Sequence, residues 1–156
     1  MCLAATLTAI VFVLTAYLQI PSSTGYVHIG DAVIMLSACI LPTPFALFVG
    51  AAGATLADCL TGFAIFAPAS AVIKAATVLF FTSKKANIIN LKNLLALIPY
   101  AVLCIGGYYL YEALISGNFL APASGIVGSI MQVTVSSILF IILGLALDKL
   151  KIKRML

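Results

Sequence analysis

The stretch from residue 28 to residue 75, HIGDAVIMLSACILPTPFALFVGAAGATLADCLTGFAIFAPASAVIKA, decides how this chain is read. Three apolar runs are separated by Pro42-Thr43-Pro44 and by a Gly62 to Pro68 turn, and four ionisable residues are set in or against them. Those four are His28, Asp31, Asp58 and Lys74. Desolvation makes an ionisable side chain at membrane depth expensive to keep, so each is a candidate functional residue if the runs cross a bilayer. Proline ends one helix or starts the next, so the runs read as separate helices.

The rest of the chain supports a membrane reading. Of its 156 residues, 64% are hydrophobic and 8% are charged, and the mean hydropathy is +1.27. A water-soluble globule does not tolerate that balance. A span needs about 20 predominantly apolar residues, so the length accommodates five or six helices and no separate soluble domain. Six runs are visible: Met1 to Ile20, Ile29 to Leu41, Pro44 to Thr61, Ala67 or Pro68 to Thr82, Leu91 to Ile115, and Gly125 to Leu147. No ten-residue alternation of a β-barrel appears. The expected fold is an all-α membrane protein over residues 1–156, a single six-helix bundle. The second and fourth runs are short, as helices bordering a cavity can be.

The net charge of +4 does not point to nucleic acid, because the basic residues are confined to two short segments. Lys84, Lys85 and Lys92 form one, and Lys149, Lys151, Lys153 and Arg154 form the other. Both flank apolar runs and read as cytoplasmic anchors. A six-helix count then puts both termini in the cytoplasm and turns the Ser22–His28, Gly62–Ala67 and Ser116–Ser124 loops outward. The four cysteines lack metal-site spacing, and Cys39, Cys59 and Cys104, away from the chain start, read as buried thiols. No metal or cofactor is expected, and no nucleophile–base pair, phosphate loop or HExxH motif marks an enzyme.

In this topology the polar residues converge at the outer side. Asp31 opens the second helix, where the partial positive charge of a helix N-terminus favours a carboxylate. A cap and a ligand contact both remain open for it. Asp58 lies about 6 Å below Gly62 and follows Ala46, Gly50 and Ala54 at four-residue spacing, the face on which helices approach closely. Lys74 lies roughly 10 Å into the fourth helix and needs a partner, for which Asp58 on the preceding helix is the natural candidate. That pair reads either as a strut or as part of a pocket. Tyr108 and Glu112 share a face of the fifth helix, Asn118 follows in the outer loop, and Gly128, Gln132 and Ser136 make a small and polar stripe on the sixth. His28 completes the outer set. Rings, carboxylates, amides and one lysine suit a small, flat, hydrogen-bonding solute.

On these residues the chain resembles the substrate-binding S components of energy-coupling factor (ECF) vitamin transporters. The likeness is to the subgroup that includes riboflavin, hydroxymethylpyrimidine and pyridoxine types. The residues that carry it are Gly30-Asp31, Ala57-Asp58, Pro68 and Lys74, with Ala5 and Ala9 as an AxxxA motif in the first helix. The resemblance implies a non-enzymatic subunit in a bacterial cytoplasmic membrane. It implies partners too: Ala5 and Ala9 would meet a membrane-embedded coupling subunit, itself driven by two cytoplasmic ATPases. The solute would bind near the outer face, and a pyrimidine- or pyridine-like vitamin precursor is favoured over riboflavin. The competing reading is a stand-alone secondary transporter or channel with Asp58 and Lys74 as an ion relay.

Overall fold

A computed structural model describes residues 1–21 and 26–154. Residues 22–25, part of the expected Ser22–His28 loop, lie outside the described residues, as do residues 155–156 and the side chain of Arg154 in the basic tail. The chain folds as α1 (Cys2–Tyr17), a short antiparallel ribbon of β1 (Ile20–Pro21) and β2 (Tyr26–Val27), α2 (Gly30–Ile40), α3 (Thr43–Leu60), α4 (Ala67–Phe80), α5 (Leu91–Leu95), α6 (Leu97–Ser116) and α7 (Ile126–Lys149). This is the expected all-α bundle with two local differences. The ribbon pairs Ile20 with Val27 where only a turn was expected. The fifth run is broken at Ala96 into α5 and α6. Pro99 explains the break, since its ring opposes the carbonyl of the residue four earlier and it has no N–H to donate.

Three segments are long and apolar enough to cross a membrane: Thr43–Leu60, Leu91–Ser116 and Ala121–Lys149. The others are short. At 1.5 Å per residue α2 is only about 16 Å long, roughly half of a hydrocarbon core. It can be short because it meets no lipid: every residue from Gly30 to Cys39 is buried. A helix apolar on all sides belongs at the centre of a bundle, and here α1, α3, α4 and α7 pack around it.

The small-residue face of α3 sets two of those distances. A Cβ at Gly50 would stand 3.0 Å from the backbone oxygen of Lys74, and one at Gly53 would come within 2.7 Å of Val11. Glycine at both places lets α4 and α1 approach from different sides. Ala46, Ala54 and Asp58 are buried with Gly50, so the stripe points inward as its spacing predicts.

Two ends of the bundle follow. Thr15 meets His28, and Asp58, Ser70, Glu112 and Gly128 gather at the same end, called here the pocket end. At the other, basic end the side chain of Asn93, fully buried, receives the Thr82 N–H at 2.9 Å. Its amide group donates to Ile88 O at 2.9 Å and Thr82 O at 3.2 Å, and faces Cys39 Sγ at 3.1 Å. Asp148 takes the N–H groups of Ile88 and Ile89 at 2.7 and 2.9 Å. The 83–90 loop is thereby tied to both α5 and α7. Of the thiols expected to be buried, Cys39 and Cys104 are, whereas Cys59 is exposed on the outside of α3.

Candidate functional site

At the pocket end the helices part around a cavity of about 520 Å³, its open mouth included. Each wall comes from a different element. Tyr26 and His28 come from β2 and the residues after it, Asp58 from the end of α3, and Phe63 and Phe66 from the α3–α4 turn. Ser70 belongs to the first turns of α4, Tyr108 and Glu112 to α6, and Gly128, Ser129 and Gln132 to α7. Five residues expected at a site thus line one cavity: His28, Asp58, Tyr108, Glu112 and Gln132.

Beneath it lies a buried polar network centred on Asp31. Its Oδ2 accepts from Lys74 Nζ at 2.8 Å, from the Tyr100 hydroxyl at 2.9 Å and from Gln132 Nε2 at 3.0 Å. Asp31 and Lys74 are both 1% exposed. This decides one open alternative and corrects one expectation. Of the two readings left open for Asp31 the cap is not formed among the described residues, since the first turn of α2 has no side-chain cap and the carboxylate faces α4, α6 and α7. The partner of Lys74 is Asp31, not Asp58, and the expected Asp58–Lys74 strut or relay is not formed among the described residues. The reason is the placement of α2. Centred in the bundle, it brings Asp31 to Lys74, while Asp58 sits higher on α3 and turns to the cavity.

The ion pair reaches the cavity through its neighbours. Lys74 Nζ lies 5.0 Å from the centre of the Tyr108 ring, a cation–π distance. The Tyr108 hydroxyl is 2.9 Å from Ser70 Oγ. Gln132, which bonds Asp31, also lies 3.3 Å from His28 Nε2. On the other side of the ring His28 Nδ1 accepts the Gly30 N–H at 3.2 Å and faces Thr15 at 3.4 Å. Burial pulls the His28 pKa down to about 4, with Lys74 acting in the same direction and Asp31 against it, so the ring is neutral at physiological pH.

The cavity wall is aromatic and acidic. Tyr26, Phe63 and Phe66 follow one another with ring centres 4.7 and 6.5 Å apart, and Tyr111 continues the series 6.2 Å beyond Phe66. The Tyr26 hydroxyl donates to Asp58 Oδ1. Burial and that carboxylate push the Tyr26 phenol well above its usual range, which keeps it a donor. Asp58 Oδ2 is buried and has no hydrogen-bond partner among the described residues. Tyr111 donates to Ile65 O at 2.5 Å and Tyr109 to Phe119 O at 2.6 Å, which pins the two loops beside the mouth.

Asn118 is not brought to the cavity. It is exposed, and its Oδ1 accepts the Leu120 N–H within its own turn. Residues that sequence reasoning passed over are Tyr26, Phe63, Phe66 and Tyr100. Tyr100 was detectable, because Tyr100, Cys104, Tyr108 and Glu112 recur every four residues on one face of the fifth run. Ala5 and Ala9 lie far from the cavity, both exposed on the side of α1 opposite the buried Ala4, Val11 and Thr15.

The family model for the S component of ECF-type riboflavin transporters matches residues 1–149, nearly the whole chain. No curated protein matches it. With apolar helical segments packed beside a polar-floored cavity and a family match over residues 1–149, the chain belongs to this family of S components, the vitamin-specific subunits of ECF-type membrane transporters.

Proposed function

We propose that this chain captures a one-ring pyrimidine- or pyridine-like vitamin precursor at the outer face of a bacterial cytoplasmic membrane. It then delivers the solute inward as the specificity subunit of an ATP-driven importer. In this reading the pocket end faces outward and the basic end, with both termini, faces the cytoplasm, which the two lysine clusters support. The partners are a membrane-embedded coupling subunit and two cytoplasmic ATPases.

The observation that carries the reading is the cavity itself. It opens at one end of the bundle and takes its walls from β2, α3, the α3–α4 turn, α4, α6 and α7, an arrangement suited to enclosing a small solute. Its rings supply stacking faces, and Asp58, Ser70, Ser129 and Gln132 supply polar contacts that fix the orientation of a flat heterocycle. Riboflavin is the second reading, favoured by the description of the matching family. The exposed Ala5 and Ala9 support α1 as the face that meets the coupling subunit, since small residues let helices approach closely.

Native mass spectrometry of the purified protein tests the ligand. A co-purified pyrimidine or pyridine, displaced by the same compound added in excess, is the expected result; a co-purified flavin selects the second reading. Uptake into liposomes holding this chain alone, with no ATPase present, would overturn the coupled importer.

A further inference from the structure

The cavity is one-sided in charge. Among the described residues its lining contains two carboxylates, Asp58 and Glu112, and no lysine or arginine. Seven of the eight basic residues lie between 84 and 92 or between 149 and 154, at the far end of the bundle. The eighth, Lys74, is 1% exposed and bonded to Asp31 at 2.8 Å beneath the cavity floor. His28, the remaining basic group at the wall, is held neutral by burial.

Asp58 turns one oxygen toward this space. The residue is 4% exposed and lines the cavity, Oδ1 is engaged by Tyr26, and Oδ2 has no protein hydrogen-bond partner among the described residues. A carboxylate oxygen accepts only, so Oδ2 is placed to take a donor carried by the ligand. Tyr26, Phe63, Phe66 and Tyr108 face the same space, and aromatic faces attract cations. A second, shallower recess lined by Phe66, Glu112, Ile115, Ser116, Ala121 and Pro122 adjoins the cavity, so Glu112 stands where the two meet.

We propose that this site selects its ligand by charge: Asp58 Oδ2 receives an amino group or protonated nitrogen of the heterocycle, and phosphorylated, anionic forms are rejected. The proposal rests on the function given above and specifies the ligand class of the same site. A cationic or amino-bearing edge gains a charge-assisted hydrogen bond to the carboxylate. A phosphate meets two carboxylates in a poorly solvated space and finds the nearest ammonium already committed to Asp31.

Isothermal titration of the purified protein in nanodiscs with pyridoxamine, pyridoxine and pyridoxine 5′-phosphate tests this, because the three probes differ chiefly in charge. Pyridoxamine should bind at least as tightly as pyridoxine, and the phosphate about 100-fold more weakly than pyridoxine. Asp58→Asn should narrow that spread to about tenfold or less, lowering affinity for the amine and raising it for the phosphate. Glu112→Gln, at a half-buried position, should narrow it in the same direction, and it serves if Asp58→Asn does not fold. Riboflavin and its 5′-phosphate give the same neutral-to-anion contrast for a flavin site. Equal affinity for alcohol and phosphate, or variants that weaken all probes by one common factor, would overturn the proposal and leave the transport reading standing. Failure of every pyridine and flavin probe to bind would overturn the proposal for these ligand classes, while the transport reading would still be decided by the co-purified ligand and the liposome assay.

Discussion

The two ends of the bundle handle buried polar groups in opposite ways. At the basic end Asn93 and Asp148 are held chiefly by backbone groups of the adjoining 82–90 segment, with the Cys39 thiol also against the Asn93 amide. At the pocket end the partners are side chains from α2, α4, α6 and α7, and acceptor atoms are left over: among the described residues Asp31 Oδ1 and Asp58 Oδ2 are both buried without a partner. Backbone partners cannot be exchanged, so the basic end is built to hold its shape. Side-chain partners with spare acceptors can take in a solute, so the pocket end is built to bind.

The most severe way to break this contrast is to remove half of the buried pair. Asp31→Ala should destabilise the protein by about 3–5 kcal/mol, because it strands an ammonium in a dry interior. Asp31→Asn combined with Lys74→Met should recover much of that loss. Thermal unfolding in detergent checks both; a double variant no better than Asp31→Ala would show that the network, not the charge, holds the helices. At the basic end Asn93→Ala removes the hub of the loop and should cost about 2–3 kcal/mol while ligand affinity stays unchanged. A loss of affinity matching the loss of stability would mean that the two ends are not independent.

Asp148→Asn is a gentler probe of the same end. It weakens two charge-assisted bonds to Ile88 and Ile89, and a loss of about 1–2 kcal/mol should appear with faster amide exchange at those two residues. The smallest expected effect is on pH. His28 is depressed to about 4 in the fold against a reference near 6.5, so the unfolded chain binds more protons between those values. Stability is therefore complete above pH 6.5 and falls as the pH drops toward 4, by about 1 kcal/mol at pH 5.5. His28→Gln should flatten that slope; an unchanged slope would assign it to the carboxylates instead.

Much of the architecture was legible because hydropathy and proline placement act locally. The apolar runs became helices within a few residues of their expected bounds, and the Ala46-Gly50-Ala54-Asp58 stripe faced inward because helical spacing alone fixes which residues share a face. Pro99 was equally visible, and the break it causes was missed only because the surrounding run is uniformly apolar. The period-four series on the last helix, Gly128, Gln132, Ser136, Phe140 and Gly144, extends in register to Asp148, so that anchor too was open to sequence reasoning.

Pairing across helices was a different matter. Adjacency along the chain favoured Asp58 as the partner of Lys74, because α3 and α4 are consecutive. The bundle selected Asp31 instead, since the short α2 is enclosed by its neighbours and brings Asp31 to the floor of the cavity. By itself the sequence determined that polar and ionisable residues would gather at one end of an apolar bundle, because burial cost and helical period are local properties of the chain. Which of them lock together and which line the cavity was decided only by tertiary packing, because contacts between distant helices depend on the depth and centring of each helix, and no spacing along the chain encodes that.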